Sequence, residues 1–589
     1  MTPTIITSKL PRLKKGIGIQ ITATIRPDLN DDYNERALRD KIKKLIEGGT
    51  SHFRLNLSHY KPDDPEQRKG LARDEYEFRW SNLVQCIDSV RDQIGVNVFI
   101  MLDTAGPEFR IGGTSSGKRP LRVLKEGAKY ILSGEKSSEN PSSPTIYVSM
   151  PPGFRSFGEH VVGRKISFKD GDCTAIIIDQ ASPKLITIEP LHRLEFRAGN
   201  NIKVNFPGFD LHGITSLGPF DRNHIEFFLN IPKLLGSPQA ATSSAATLVP
   251  VHYIAQSFVR EAQDINALKH NLDNIDGIIR GVIRQPLIIP KIETEQAVDP
   301  QTLKEIAKND NTAAVMVARG DLGTELERWL VPSKQREIIR VAHSYLKPVL
   351  VATEVYGSMG KHPKEAWQPN RGEVLDLRHA LEAGVDGIVF SAETGARDDP
   401  ERTLEFAGAQ ANWDEKDIEE LDLHKAERDS RRERMEFGYD KILDRPIRTA
   451  KFSEPPPLDT LADYSTMDWA CAAVYRANIR GAAGIFPFTV TGNTVRDMVH
   501  FLPYRPIVAL TDNKETLARL ALFSHVHPVL VEAVDEEKFD VEDLKKLVRA
   551  AIEKFDMRKF GKEALATMPH PVGKAGGTDT LVRILLEKR

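Results

Sequence analysis

The sequence has little cysteine, no long hydrophobic run and almost no net charge. Its 589 residues include only three cysteines, Cys86, Cys173 and Cys471, which lie far apart and form no CxxC pair. Neither a disulfide framework nor a cysteine-rich zinc site is therefore expected. The formal net charge is -2, from 81 basic and 83 acidic residues. The chain as a whole has no electrostatic attraction for nucleic acid or for a membrane surface.

The hydrophobic runs are too short for a membrane span or a secretion signal. None approaches the roughly 18 apolar residues of a transmembrane helix, and the first residues, MTPTIITSKLPRLKK, lack the apolar core of a signal peptide. The composition, 40% hydrophobic and 28% charged, is ordinary for a globular protein. We expect a cytoplasmic protein without nucleic-acid or membrane partners, divided into about three or four domains.

What the sequence does contain is a regular alternation of short β-branched runs with amphipathic helical stretches. Eight such runs are nearly continuous in apolar residues, as in strands buried on both faces of a parallel sheet. Helical stretches separate them, such as residues 34–49, which end in a Gly-Gly stop signal. Eight βα units predict an α/β fold with a (β/α)8 TIM barrel. The runs are residues 17–25, 51–57, 96–103, 251–258, 286–293, 313–321, 348–354 and 387–393.

A long insertion and a charged connector interrupt this alternation. The stretch between the third and fourth runs is rich in Gly, Pro and Ser and contains short β-like runs, which predicts a small inserted β-barrel domain. We interpret the charged stretch 414–436 as an exposed helix or linker, with a partner-binding segment as the alternative. The predicted domains are residues 1–111 and 207–410 for the two parts of the barrel, 112–206 for the insertion, 411–459 for a charged and Pro-rich connector, and 460–589 for a C-terminal α/β domain.

Polar side chains stand where six of the eight predicted strands end. Catalytic groups of a (β/α)8 barrel lie at the carboxyl ends of its strands. One strand-end charge is most simply a solvated rim residue, but five or more on the same rim are hard to explain by coincidence. We interpret this rim as a candidate site. Its residues are Arg54, Asn56 and Ser58, then Asp103 and Thr104, Lys291 and Glu293, Arg319 and Asp321, Thr353, and Ser391 and Glu393.

Carboxylates and cations converge on this rim. Glu293 and Asp321 follow neighbouring strands and offer the hard oxygen ligands that Mg²⁺ or Mn²⁺ prefers. Arg54, Arg110 and Lys291 bring positive charge suited to phosphate or carboxylate oxygens. A divalent metal among cations is what phosphoryl transfer requires. The two carboxylates alone leave metal-assisted aldol chemistry open, whereas the added cations favour a phosphate substrate.

Several motifs in order along the chain resemble the pyruvate kinase family. They include RLNLSH at 54–59, LDTAGPEFRIG at 102–112, IIPKIE at 288–293 and VARGDLGTE at 317–325, and the C-terminal segment TGNTVRDMVHFLPYRPIVALT at 491–511. The resemblance implies transfer of the phosphoryl group of phosphoenolpyruvate to ADP in glycolysis, giving pyruvate and ATP. It also implies that the inserted domain is a lid that closes over the nucleotide.

The resemblance implies a role for each residue of the metal and phosphoryl centre. Glu293 and Asp321 would bind the divalent metal, Mg²⁺ or Mn²⁺. Lys291 would stabilise charge on the phosphoryl group in transfer and on the developing enolate. Thr353 would position the water that protonates the methylene carbon. The other members of the implied catalytic group are Arg54 and Arg110.

Further contacts follow from the same resemblance. Glu108 is similar to the family version that is associated with a K⁺ requirement. Gly320 would let the substrate carboxylate approach free amides at the start of the next helix. The implied K⁺ ligands are Asn56, Ser58, Asp103 and Thr104, the substrate contacts are Arg319, Gly320, Thr353, Ser391 and Glu393, and the nucleotide contacts are Arg54, His59 and Arg110.

The C-terminal domain contains a candidate effector loop, FTVTGNT at 488–494. Its hydroxyls and glycine follow a predicted strand and precede a helix-like segment, an arrangement able to bind phosphate. The resemblance suggests a sugar-phosphate effector and a homo-oligomer, a tetramer in the family, although loop 570–579 does not match the family's effector loops closely. A plain helix cap is the alternative. The candidate effector residues are Thr489, Thr491, Gly492, Asn493 and Thr494.

The departures from the family pattern lie mainly on the nucleotide side. Ala105 replaces a lysine, Tyr60 stands where glycine is usual and beside the expected nucleotide phosphates, and Glu354 replaces an amide. The lysine expected after the Pro-Gly that ends the lid is not evident in residues 206–214. The alternatives to a kinase are therefore a divergent enzyme that uses phosphoenolpyruvate or pyruvate with another acceptor, and a pseudoenzyme that binds a phosphometabolite.

Overall fold

An eight-stranded closed barrel forms the centre of the molecule, as the apolar runs predict. In this computed structural model each strand pairs in parallel with the next along the chain, and the last pairs with the first, so all carboxyl ends lie on one rim. Every residue of β1, β3, β4, β6, β7 and β8 as defined below is buried, which explains their continuous apolar sequence. The strands are β1 (Gln20–Thr24), β2 (His52–Asn56), β3 (Phe99–Asp103), β4 (Tyr253–Gln256), β5 (Leu287–Ile292), β6 (Val315–Ala318), β7 (Val349–Ala352) and β8 (Gly387–Phe390).

The structure describes most of the chain but not all of it. The described residues are 3–30, 33–62, 68–112, 121–134, 144–151, 154–168, 173–197, 202–207, 217–234, 251–279, 281, 283–361, 367–429, 439–440, 445–446, 466–501, 503–535, 538–568 and 580–586.

Helices surround the barrel. The predicted helix at 34–49 is confirmed as Glu35–Gly48: the Asn34 side chain accepts a hydrogen bond from the amide of Ala37, and Gly49 ends the helix with φ 114°. The helices of this region are Pro11–Lys15, Glu35–Gly48, Arg73–Ile94, Pro219–Leu234, Ala262–Asp273, Asp276–Ile279, Pro300–Lys308, Arg319–Glu325, Val331–Ser344, Gly357–Lys361, Arg371–Glu382, Ala392–Gly395 and Pro400–Asp429, with 3-10 turns at Leu57–His59, Gln296–Val298 and Arg328–Leu330.

A second, smaller closed barrel is inserted between β3 and β4, as predicted. Seven mostly antiparallel strands close it around a separate hydrophobic core, and two further strands pair beside it. We call this inserted unit the lid. Its first and last strands pair with each other and bring Arg110 opposite Lys203. The lid strands are Phe109–Ile111, Leu121–Leu124, Tyr130–Ser133, Thr145–Ser149, Lys165–Phe168, Cys173–Ser182, Leu185–Pro190, Leu194–Arg197 and Lys203–Asn205.

A five-stranded sheet flanked by helices forms the C-terminal domain, as the predicted α/β class of this domain requires. Its strands are β9 (Gly484–Pro487), β10 (Ile507–Thr511), β11 (Val526–Leu530), β12 (Glu563–Met568) and the antiparallel β13 (Thr580–Leu585). Its helices are Thr466–Arg480, Asn493–His500, Lys514–Leu520 and Val541–Lys554, with a 3-10 turn at Met557–Phe560.

The charged connector is only partly described. The stretch 414–436 is helical as far as Asp429, at the end of the long helix Pro400–Asp429, and its remainder lies outside the described residues. Two short strands, Tyr439–Asp440 and Arg445–Pro446, pair farther along. Residues 447–459 of the predicted connector lie outside the described residues, and the domain limits stay predictions.

The C-terminal domain packs against the amino ends of the barrel strands. Asp386, just before β8, accepts hydrogen bonds at Oδ1 from the Ser524 amide (3.1 Å) and hydroxyl (3.0 Å), while its Oδ2 lies 2.8 Å from Nε2 of His343. Tyr253 begins β4 and donates its hydroxyl to the carbonyl of Ala518 at 2.7 Å. The carboxyl rim therefore faces away from this domain and is left to the lid. Along the described helices, none combines the length and hydrophobicity needed to cross a bilayer.

Candidate functional site

Arg54 joins four strand ends at the carboxyl rim. Its Nε and Nη2 lie 2.6 and 2.5 Å from Oδ2 of Asp103, and both side chains are buried. Its Nη1 donates to the hydroxyls of Thr24 after β1 (2.9 Å) and Ser391 after β8 (3.4 Å). Burial alone raises the pKa of Asp103, but the charges of Arg54 and Lys291 outweigh burial and lower it. Asp103 is therefore ionised at neutral pH.

Lys291 places a buried ammonium between two carboxylates. Its Nζ lies 3.1 Å from Oδ1 of Asp103 and 3.2 Å from Oε2 of Glu293. It also donates to the hydroxyl of Ser257 at 2.8 Å. Burial alone lowers the pKa of Lys291, but the carboxylates of Asp103, Glu293 and Asp321 outweigh burial and raise it. The site therefore holds a permanent positive charge at the end of β5.

Glu293 has an oxygen that fits a metal ion. Its side chain is fully buried, and Oε1 accepts a hydrogen bond from the amide of Phe258 at 2.6 Å. Its Oε2 accepts no hydrogen bond from any described residue. Burial raises the pKa of Glu293 above its ordinary value, in spite of the nearby Lys291 ammonium. A hard, buried carboxylate oxygen without a hydrogen-bond donor is chemically suited to a divalent cation.

Asp321 is the second carboxylate, and the lid reaches it. Asp321 lies in the first turn of the helix that follows β6, and Lys203 of the lid forms an ion pair with it. Burial alone raises the pKa of Asp321, but the ammonium groups of Lys203 and Lys291 outweigh burial and lower it. Lys203 also lies 3.9 Å from Oε1 of Glu108. This donor set fits a divalent metal, although the described residues contain no group of three or more His, Cys, Asp or Glu side chains arranged around one point.

Thr353 adopts an unusual backbone conformation at the end of β7. Its φ is 67°, in the left-handed region that β-branched residues rarely enter. Its hydroxyl accepts the amide of Gly320 at 2.7 Å and donates to the carbonyl of Ala352 at 2.6 Å. A Cβ at position 320 would lie 3.3 Å from this hydroxyl, so glycine permits the close approach. The structure thus brings Gly320 and Thr353 together.

Arg319 contacts the backbone of Thr353. Its Nε and Nη2 donate to the Thr353 carbonyl at 3.2 and 2.9 Å, and its Nη1 lies 2.5 Å from Oδ2 of Asp376. The guanidinium is buried. The two opposite charges of the VARGD sequence after β6 therefore have separate roles: Arg319 supports a neighbouring turn, whereas Asp321 joins the carboxylate cluster.

The predicted K⁺ ligands lie at adjacent strand ends. Asn56 of β2 and Asp103 of β3 are direct partners in the sheet register. Oδ1 of Asn56 accepts the amide of Ser58 at 3.0 Å, and the hydroxyl of Thr104 accepts the amide of Ser257 at 3.0 Å. Side-chain oxygens thus gather at this point of the rim, where they support local turns.

The predicted nucleotide contacts lie near the lid. Arg110 pairs with Glu108 through Nη2 and Nε, both to Oε2, at 2.6 and 2.7 Å. Burial, together with the charges of nearby arginines that include Arg54 and Arg110, lowers the pKa of His59 to about 4. His59 is therefore neutral at physiological pH and can act only as a neutral hydrogen-bonding group.

The two residues predicted after β8 organise loops. Glu393 is buried, its Oε2 accepts the amide of Ser391 at 2.7 Å, and its Oε1 accepts the amide of Tyr356 at 3.3 Å. Glu393 thereby ties the loop after β7 to the loop after β8. Ser391 is nearer the centre, since its hydroxyl accepts a hydrogen bond from Arg54.

Three residues of the cluster were missed in the sequence. Ser257 follows β4 and donates to the Thr104 carbonyl at 2.5 Å. Thr24 ends β1. Lys203 comes before the Pro-Gly of the lid, in KVNFPG, whereas the family resemblance places the expected lysine after it. A polar residue near the carboxyl end of each apolar run is the signal that identifies the first two.

The Tyr60 side chain lies inside the hydrophobic core, and its expected place beside the nucleotide phosphates stays a prediction. Its ring is 1% exposed and lies in the hydrophobic core, between the helices Arg73–Ile94 and Pro219–Leu234. These helices present an aromatic pocket that a side chain at this position fills. The ring neighbours, with centroids 4.8 to 5.8 Å away, are Tyr76, Trp80, His224, Phe227 and Phe228.

Replacing Tyr60 with alanine tests this placement. We expect the free energy of unfolding to fall by about 3–5 kcal/mol, because a large buried aromatic ring leaves a cavity, while nucleotide affinity stays within about twofold. Phe78, which is 46% exposed on the helix Arg73–Ile94, is the matched control: Phe78→Ala changes stability by about 0.5 kcal/mol or less. Urea denaturation and nucleotide titration give both values. Unchanged stability with strongly altered nucleotide affinity would contradict the core position.

The candidate effector loop forms a compact turn before the helix Asn493–His500. Gly492 has φ 84° and its amide donates to the Thr489 hydroxyl at 2.9 Å, and the Asn493 amide donates to the Thr491 hydroxyl at 3.5 Å. Thr494 is the second residue of that helix and is buried. Loop 570–579 lies outside the described residues, and effector binding stays a prediction.

Family models and relatives agree with this architecture. The model described as pyruvate kinase, barrel domain, matches residues 18–404, and that described as pyruvate kinase, alpha/beta domain, matches residues 468–584. The chain is 27% identical to the pyruvate kinase of Thermotoga maritima over 568 residues, covering 96% of this chain and 98% of the relative. It is 28% identical to that of Methylorubrum extorquens over 583 residues, covering 98% and 99%.

A solved structure has the same fold. The crystal structure of a pyruvate kinase from Cryptosporidium parvum superposes with a TM-score of 0.70 at 22% identity, covering 97% of each chain.

Proposed function

The chain belongs to the pyruvate kinase family of phosphotransferases, and on this premise we propose that it transfers the phosphoryl group of phosphoenolpyruvate to ADP, giving pyruvate and ATP. The observation that carries the proposal is the buried Lys291 ammonium, held between Asp103 and Glu293 at 3.1 and 3.2 Å. A fixed positive charge in a water-poor site stabilises charge that develops during a reaction far better than a solvated one.

Cations on both sides of the rim suit the phosphate. Arg54 is held by Asp103 and by the hydroxyls around it, so its guanidinium is oriented before substrate binds. Lys203 and Arg110 belong to the paired strands of the lid and add positive charge from above. Lys203 would turn from Asp321 to the phosphate as substrate enters. The phosphoryl group would thus be surrounded by cations from the barrel and from the lid.

Glu293 and Asp321 would hold Mg²⁺ or Mn²⁺. When bound, the metal neutralises charge on the phosphate and carboxylate oxygens of the substrate. Asn56, Ser58, Asp103 and Thr104 would hold K⁺ at the neighbouring strand ends. These residues offer the oxygen atoms that both cations prefer.

Lys291 and Thr353 would act at two successive steps once the substrate is bound. As the bond between phosphorus and the enol oxygen breaks and a new bond to an oxygen of ADP forms, the Lys291 ammonium would stabilise the enolate oxygen. The enolate then takes a proton at its methylene carbon and becomes pyruvate. The Thr353 hydroxyl, fixed by the Gly320 amide at 2.7 Å, would hold the water that delivers this proton.

The first test measures both products. Purified protein with phosphoenolpyruvate, ADP and Mg²⁺ should form pyruvate and ATP in equal amounts, and K⁺ should increase the rate. The position of Tyr60 in the core supports ADP as acceptor, because its ring does not occupy the rim. Formation of pyruvate without ATP would identify a different acceptor. Binding of phosphoenolpyruvate without any turnover would contradict the proposed reaction.

A further inference from the structure

The turn after β7 holds two consecutive non-glycine residues in a strained conformation. Thr353 and Glu354 have φ of 67° and 54°. Left-handed backbone is uncommon outside glycine and is least favourable for β-branched residues. Such strain persists only where the surrounding structure imposes it. The contacts around Thr353 show what imposes it.

Arg319 donates hydrogen bonds to the Thr353 carbonyl, and Asp376 holds Arg319 in place. Two nitrogens of the guanidinium, Nε and Nη2, converge on this one oxygen at 3.2 and 2.9 Å, and the third, Nη1, lies 2.5 Å from Asp376. Arginine's planar fork makes this three-way geometry possible, and lysine has no equivalent. The guanidinium is 9% exposed. Arg319 is therefore oriented by a carboxylate and orients a peptide.

The helix that carries Asp376 has a well-capped N-terminus. Asn370 and Glu373 form a capping box at the beginning of the helix Arg371–Glu382. Glu373 also accepts the amide and hydroxyl of Ser358, both at 2.6 Å. Asp376 therefore lies on a helix that is hydrogen-bonded to the short helix Gly357–Lys361, which follows Thr353 along the chain.

The hydrogen bonds from Arg319 to the Thr353 carbonyl determine where the Thr353 hydroxyl lies. In the left-handed conformation, Oγ1 accepts the Gly320 amide at 2.7 Å, which places it at the start of the helix that carries Asp321. A return of Thr353 to extended backbone would redirect its Cβ and separate Oγ1 from Gly320. The carbonyl contact of Arg319 resists that return because it fixes the peptide between Thr353 and Glu354.

We propose that Asp376 and Arg319 are a positioning pair that holds Thr353 in its left-handed conformation and so sets its hydroxyl for protonation of the enolate. This rests on the proposed function, in which Thr353 holds the proton-delivering water. In this role neither member needs to touch the substrate. The role replaces the predicted substrate contact of Arg319 with an action through the backbone of its neighbour.

Asp376→Asn and Arg319→Lys test the pair. Exchange of pyruvate methyl hydrogens with D₂O, in the presence of Mg²⁺ and ATP, isolates the proton-transfer step. We expect this exchange to slow by about tenfold in either variant, whereas KM for phosphoenolpyruvate and Mn²⁺ affinity stay within about twofold. Glu382→Gln is the matched control, since this carboxylate on the same helix pairs with Arg378 at 2.7 Å on the surface. It should leave every value unchanged.

A second substitution separates positioning from general damage. Glycine adopts left-handed backbone without strain. The double variant Asp376→Asn with Glu354→Gly should therefore regain most of the methyl exchange that Asp376→Asn alone loses. Equal losses in exchange, substrate KM and Mn²⁺ affinity, without rescue, would show a merely structural role and overturn the proposal. Wild-type exchange in both variants would overturn it as well.

A readout independent of activity completes the test. Hydrogen exchange at the Gly320 amide should accelerate in Asp376→Asn, because this amide loses the Thr353 hydroxyl as acceptor. Unchanged protection of the Gly320 amide would overturn the role of the positioning pair even if the protein were inactive. If the Gly320 amide exchanges faster in Asp376→Asn but the wild-type protein forms no pyruvate, the positioning of Thr353 by the pair is supported and the proposed function is refuted instead.

Discussion

Lys291→Met is expected to abolish pyruvate formation while metal binding is largely kept. The ammonium is buried between Asp103 and Glu293, so no other described cation occupies the same point. Removing one preorganised stabiliser of a developing oxyanion lowers kcat by about 10²–10³, and we expect at least that loss here. Glu293 and Asp321, the proposed metal ligands, remain in the variant. Turnover and Mn²⁺ affinity, measured on the same preparation, check both halves of the prediction.

Lys291→Met also removes the positive charge that balances Asp103 and Glu293, so the stability of the variant is measured as well. Breaking a buried pair costs about 3–5 kcal/mol when a charge is left uncompensated. Arg54 still pairs with Asp103 in the variant, so Glu293 is the buried carboxylate that loses its nearest counter-charge. Mg²⁺ should therefore raise the melting temperature of Lys291→Met more than that of the wild type. Lys334→Met, which removes a half-exposed lysine paired with Glu337, is the control for charge loss. Near-normal turnover of Lys291→Met would show that its assigned role is wrong.

Strand positions and the central cluster were predictable because both depend on local pattern. Strands buried on both faces must be apolar throughout, which marks β6 as VMVA and β7 as VLVA in the sequence. Parallel order then brings the residues after each strand to one rim. That reasoning is sufficient to bring Arg54, Asp103 and Lys291 together without knowledge of any distance.

Side-chain direction was not predictable, because it depends on partners far along the chain. Arg319 turns to Asp376, a carboxylate 57 residues later. Tyr60 turns inward because two helices, one of them more than 150 residues away, supply aromatic neighbours. Lys203 reaches Asp321 only because the first and last lid strands pair above the barrel. Each of these contacts is set by tertiary packing that no single segment encodes.

The carboxylate variants Glu293→Gln and Asp321→Asn are expected to lose metal binding and turnover together. Each replaces an anionic oxygen ligand by a neutral amide of the same shape. Changing a residue that only supports a metal ligand typically costs 10–100-fold in affinity, so losing the ligand itself should cost at least about 100-fold. Saturating Mg²⁺ should not restore turnover, because the remaining carboxylate cannot supply the missing charge. Titration with Mn²⁺ and kinetics over a range of Mg²⁺ concentrations measure both effects.

The two variants should nevertheless differ in a way that the structure explains. Burial raises the pKa of Glu293, so protons compete with the metal at this carboxylate as the pH falls, and Glu293→Gln should weaken the pH dependence of Mn²⁺ binding. Asp321→Asn instead releases Lys203, so it should also loosen the contact between lid and barrel, seen as faster hydrogen exchange in the strand Lys203–Asn205. Glu305→Gln, at an exposed position of the helix Pro300–Lys308 after β5, should change neither property. Wild-type Mn²⁺ affinity in Glu293→Gln would remove this residue from the proposed metal site, since that assignment depends on Oε2, which accepts no hydrogen bond from any described residue.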